Sequence, residues 1–125
     1  NCEDTQNVIK ELINISKEIG GYGLAAPQIG INKSIFIYRK SINSNKYNIV
    51  INPQVIVASG KLISRGEGCL SVPGVRKDIK RYNSFVIKYE NESGEEIRRK
   101  PISKLEKIIL QHEIDHLNGI TINLR

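Results

Sequence analysis

Gln111-His112-Glu113-Ile114-Asp115-His116 holds the only two histidines of the chain, four residues apart. On a helix that spacing stacks both imidazoles on one side, within reach of a single ion, and puts Glu113 just off their line. The alternative is a pair of core histidines satisfied by hydrogen bonds, and a carboxylate at the second position weighs against it. An ion with an open coordination position needs a third protein ligand and room for a water. With no other histidine to supply it, that ligand must be of another type. Cys69 is the best candidate, because it stands in Gly66-Glu67-Gly68-Cys69-Leu70-Ser71, where small residues let the backbone approach an ion and a substrate closely. A lone cysteine is more often a small buried hydrophobe. The rival, Cys2, sits at a chain end prone to fraying.

An ion held by a thiolate and two imidazoles lowers the pKa of a water toward neutrality, and Glu113 can take the proton. The expected chemistry is hydrolysis at a carbonyl. The resulting oxyanion needs donors beyond the ion, and the segment Gly21-Tyr22-Gly23-Leu24-Ala25-Ala26-Pro27-Gln28 can supply one from the Gln28 amide. Taken alone, its Gly-x-Gly loop is more often an ordinary helix-to-strand turn.

These residues need elements to position them. Pro101 precedes a segment in which Ser103 and Glu106 form an S-x-x-E capping box, predicting a helix from about Lys104 to Asn118. Leu105, Ile108 and Ile109 share a face with His112 and His116, while Leu110, Ile114 and Leu117 cover much of the other side, so this helix is expected to be buried. Its polar groups Gln111, Glu113 and Asp115 then need partners inside. A first amphipathic helix is expected over Asp4 to Ile19, from the spacing of Val8, Ile9, Leu12, Ile13 and Ile19, with Gly20 and Gly21 as its stop. Short β-branched runs predict strands at Ser34 to Tyr38, Tyr47 to Ile51 and Gln54 to Ala58. Ser84 to Glu90 and Glu96 to Arg99 read as a hairpin about a polar turn. The expected fold is α+β, with mostly antiparallel sheets packed around a central buried helix that carries the two histidines.

At 125 residues, without repeats or a linker rich in Pro, Gly or Ser, the chain is expected to form one domain over residues 1–125. No apolar run approaches the roughly 18 to 20 residues that span a bilayer, so a membrane protein is not expected. The net charge of +6 favours encounter with anionic partners such as ribosomal RNA. Scattered basic residues with no aromatic ladder argue against specific nucleic-acid recognition. Two cysteines make a poor disulfide framework and are expected to be reduced. The chain has no methionine, even at position 1, and the numbering is therefore expected to begin after the translational start.

Three segments, GYGLAAPQ (Gly21 to Gln28), EGCLS (Glu67 to Ser71) and QHEIDH (Gln111 to His116), together resemble the peptide deformylases. The family pattern is G-x-G-L-A-A-x-Q, E-G-C-L-S and Q-H-E-x-D-H, in that order. The resemblance implies removal of the formyl group from the N-terminal formyl-methionine of nascent polypeptides, with release of formate. It implies Cys69, His112 and His116 as metal ligands, Glu113 as the acid/base, and Gln28 with the Leu70 backbone N–H as holders of the oxyanion. By the same resemblance, Gly23 and Gly68 offer backbone contacts to an extended peptide. Tyr22, Leu105, Ile108, Ile109 and the aliphatic part of Glu67 become walls of a methionine pocket. Asp115 with Arg81 becomes support behind the ligands, and Arg76 reads as a surface arginine, with contact to the distal end of the substrate as the alternative. The implied cofactor is one divalent ion: Fe2+ in the cell, with Zn2+, Ni2+ or Co2+ able to replace it. A monomer is expected in the cytoplasm of a bacterial or phage-infected cell, with an organelle as the alternative, and the ribosome near its exit tunnel is a candidate partner. The competing readings are a zinc aminopeptidase, since H-E-x-x-H is shared with metalloproteases, and a non-catalytic metal-binding or ribosome-binding protein of the same fold.

Overall fold

The computed structural model describes residues 2–41, 43–69 and 72–120, with backbone alone for Cys2, Cys69, Val72 and Pro73. In chain order the elements are α1 (Cys2–Ile19), β1 (Gly23–Ala25), a 3-10 turn (Ala26–Ile29), β2 (Ile35–Tyr38), β3 (Asn48–Ser59), β4 (Leu62–Cys69), β5 (Val72–Arg81), β6 (Ser84–Glu90), β7 (Glu96–Arg99) and α2 (Lys104–Leu117). All pairings are antiparallel, in a five-stranded sheet of order β1-β2-β3-β6-β7 and a separate hairpin β4-β5. The class is α+β, as the sequence suggests.

The period-two alternation of β2 explains the layering. All four of its residues are buried, so it carries core on both faces. Ile35 and Ile37 pack with Val8, Ile9 and Leu12 of α1, while Phe36 and Tyr38 pack with Ile109 and Leu110 of α2. The two helices therefore cover opposite faces of one sheet. Strand β1 follows the same rule, with Leu24 in the α1 layer and Ala25 in the α2 layer.

Two strands expected at Tyr47 to Ile51 and Gln54 to Ala58 are one strand, β3, of 12 residues with Pro53 inside it. The register slips between Ile51 and Gln54, and Asn52 has φ 51°, so the proline sits in a bulge where a missing N–H costs no ladder bond. The β6-β7 hairpin forms as expected. Its turn is held by Asn91 Oδ1, which accepts from the N–H groups of Ser93 (3.0 Å) and Glu95 (2.9 Å).

At the start of α2, Ser103 Oγ accepts the Glu106 N–H at 3.0 Å, which is the expected cap. The other half of the expected box differs. Glu106 accepts the Ile102 N–H at 2.9 Å and turns inward to Arg99 and Tyr38. Burial works to raise its carboxyl, but the bonds from Arg99, Ile102 and Tyr38 outweigh it and hold the group at about 2. A folded-state pKa below the ordinary 4.5 adds stability that is complete above pH 4.5 and lost as the pH falls toward 2. The urea midpoint is therefore expected to drop across that window, and Glu106→Gln to flatten part of the drop. A fall of equal depth in the variant would contradict this assignment. No helix among the described residues is long and apolar enough to cross a membrane.

Candidate metal centre

The two histidines of α2 meet. Their Nε2 atoms lie 3.0 Å apart, with ring centroids at 4.6 Å and planes at 76°. Glu113 joins them, and the ligand-capable atoms of the three side chains lie within 4.8 Å of one another. Glu113 is 4% exposed.

The partner of His112 sets its tautomer. Nδ1 lies 3.0 Å from Glu67 Oε1. Burial works to raise the Glu67 carboxyl, but hydrogen bonds from His112, Arg81 and Ser64 hold it at about 2. An ionised carboxylate only accepts, so Nδ1 carries the hydrogen, and Nε2, which faces His116, is the nitrogen through which the neutral ring can bind an ion. Behind Glu67 stands Arg81, whose side chain is 1% exposed. It donates to Glu67 from Nη2 (2.6 Å) and Nε (3.0 Å), and to Asp115 Oδ2 from Nη1 (2.5 Å). The expected Arg81–Asp115 pair is thus present and reaches the histidines through Glu67. Gln111 ties the middle of α2 to the residue after β5, accepting from Tyr82 N (2.8 Å) and donating to Tyr82 O (2.9 Å).

A cleft of about 670 Å³ opens over this cluster, lined by His112, Glu113 and Gln28. Tyr22, Gly23, Glu67, Gly68, Leu105, Ile108 and Ile109, all expected as substrate contacts, line it too. His116, Arg81 and Asp115 are not among the residues that line it. Gln28 Oε1 accepts the Ala25 N–H at 2.8 Å, which leaves its NH2 as the donor end. The backbone of Cys69 ends β4, directly after the cleft-lining Glu67 and Gly68. The Cys69 and Cys2 side chains, and Leu70 altogether, lie outside the described residues.

Gly23 tests the fit of these groups to an ion and its base. A Cβ there would come within 2.7 Å of Glu113 Oε2 and 3.0 Å of the Ile37 carbonyl. Only glycine leaves the carboxylate in place beside two converging imidazole nitrogens, a donor set that suits several divalent ions. Gly23→Ala is expected to displace Glu113 and cut turnover by about 10²-fold without emptying the histidine site. Metal analysis beside the rate measures this, and an undisturbed rate would contradict the close packing.

Sequence reading missed Arg65, which lines the cleft. Arg76 lines it too, as in the alternative reading rather than as a surface arginine, and its guanidinium lies where a side chain at Gly68 would project. It also valued Glu67 only for its aliphatic part. Two of the carboxylate's partners, Arg81 and His112, lie 14 and 45 residues away, a separation that no local spacing signals.

Residues 1–125 match the family model for polypeptide deformylase. The chain is 38% identical over 118 residues to the peptide deformylase of Pseudothermotoga lettingae, covering 94% of this chain and 66% of that protein. It is 40% identical over 111 residues to that of Borreliella burgdorferi, covering 89% and 66%. It spans just under two thirds of the length of these relatives. The crystal structure of the Thermotoga maritima peptide deformylase superposes with a TM-score of 0.87 at 33% identity, over 98% of this chain and 81% of that one.

Proposed function

The chain belongs to the polypeptide deformylase family, and from that premise we propose that it hydrolyses the formyl group from the N-terminal formyl-methionine of nascent polypeptides, releasing formate. The observation that carries this reading is the meeting of His112, His116 and Glu113, two of which, His112 and Glu113, line a cleft together with Tyr22, Leu105, Ile108 and Ile109. Cys69, His112 and His116 hold one divalent ion, iron(II) in the cell, with zinc, nickel or cobalt as replacements. When bound, that ion supplies a Lewis acid that polarises the formyl carbonyl and acidifies water.

The chain's own groups do the rest. Strand β1 lies at the edge of the five-stranded sheet, so an extended peptide can pair with Gly23 and reach Gly68 across the cleft. Tyr22, Leu105, Ile108, Ile109 and the stem of Glu67 enclose the methionine side chain. Glu113 accepts the proton of the attacking water and returns it to the departing amine nitrogen. Gln28, its oxygen already held by Ala25, donates to the oxyanion beside the Leu70 N–H. Glu67, with Arg81 and Asp115 behind it, fixes the His112 ring. The cytoplasm fits a substrate that emerges from the ribosome, and the net charge of +6 favours encounter with ribosomal RNA.

The deciding experiment loads the protein anaerobically with iron(II) and measures formate released from formyl-Met-Ala-Ser. Formate in step with free amine supports the reading. Cleavage of unformylated peptides without formate would replace it with an aminopeptidase.

A further inference from the structure

Glu106 lies outside the cleft and takes part in none of the steps above, yet its side chain is 0% exposed. Oε1 accepts from Arg99 Nη1 and Ile102 N, both at 2.9 Å. Oε2 accepts from Tyr38 Oη (2.8 Å) and Arg99 Nη2 (3.1 Å), with Lys40 Nζ at 3.6 Å. Arg99 ends β7 and Tyr38 ends β2, so one carboxylate ties the first turn of α2 to two strand ends.

A buried ion pair is weak evidence for stability, because an apolar side chain of similar volume often serves as well. What the charge adds here is direction. Among the described residues, helix α2 is also tied to the strands by Gln111 to Tyr82, His112 to Glu67 and Asp115 to Arg81, all of which act from residue 111 onward. Among the described residues the first turn has only Glu106 and an exposed Lys107–Asn83 contact. That turn carries Leu105 and leads into Ile108, both lining the cleft.

We propose that Glu106, through Arg99 and Tyr38, is a positioning residue for the methionine pocket, holding Leu105 and Ile108 as a rigid wall. The substrate named here rests on the deformylase reading, whereas the mechanical claim stands without it. The test compares wild type with Glu106→Gln, which keeps the shape of the side chain, and with Arg99→Met, which removes the partner. It reads the advantage in kcat/KM of formyl-Met-Ala-Ser over formyl-Ala-Ala-Ser, together with amide hydrogen exchange along α2. The advantage is expected to fall about tenfold, chiefly through KM, with faster exchange at residues 104–108 and retained protection at 112–116. An equal loss on both peptides, or exchange that is unchanged or quickens evenly along α2, would overturn the proposal. If the wild type releases no formate, the deformylase reading fails, and the exchange pattern alone decides whether Glu106 positions this wall.

Discussion

Glu113→Ala is expected to abolish most formate release, by about 10² to 10⁴-fold, while the protein keeps a full equivalent of metal. The two halves of this result separate two roles for one carboxylate. Glu113 lies close enough to both histidines to be a ligand itself. If it were the third ligand, its removal would empty the site and the metal content would fall with the rate. If Cys69 is the third ligand, the ion stays and only proton transfer is lost. Metal analysis of the purified variant beside the formate assay gives the answer, and full activity would remove Glu113 from the mechanism.

Arg81→Met is expected to be the most destabilising substitution at the site. Its guanidinium is nearly inaccessible and is the shared partner of Glu67 and Asp115. Removing it leaves two buried carboxylates without their common cation, and breaking such a pair typically costs ~3–5 kcal/mol. With each kcal/mol worth roughly 4 °C in a domain of this size, thermal unfolding should shift down by more than 10 °C. A second effect separates support of the site from bulk stability. Glu67 would no longer be fixed against the His112 ring, and loss of such a backing contact lowers metal affinity by about 10 to 100-fold. A melting temperature within two or three degrees of wild type, with unchanged affinity for the ion, would show that the cluster carries neither role.

The elements of the fold were most legible where apolar residues dominate the buried positions. Helix α1 and the β6-β7 hairpin follow from apolar spacing and turn residues, and strand β2, buried on both faces, follows from its short β-branched and aromatic run. The β4-β5 hairpin was invisible to that rule. Its buried positions include Ser64, Glu67 and Arg81 beside Ile79, so the face that turns inward is largely polar and shows no apolar alternation. Polar burial there serves the metal centre, which explains why pattern reading failed beside the chemistry. In the same way, Ser103-x-x-Glu106 offered a local explanation for Glu106 that concealed its long-range one. Tyr38, its partner, is 68 residues away. The histidine pair and Glu113 were legible because their geometry is contained in one turn of helix. The grouping of Tyr22, Gly68 and Ile108 around one cleft came from the three-motif resemblance and from no periodicity.

The account depends on the set of atoms around the ion, and X-ray absorption at the metal edge of the iron- or zinc-loaded protein reads that set directly. One sulfur at about 2.3 Å and two imidazole nitrogens at about 2.0 to 2.1 Å are expected for zinc, with the sulfur contribution lost in Cys69→Ser. A shell of nitrogen and oxygen alone in the wild-type protein would contradict the three-ligand site and the role it leaves for Glu113.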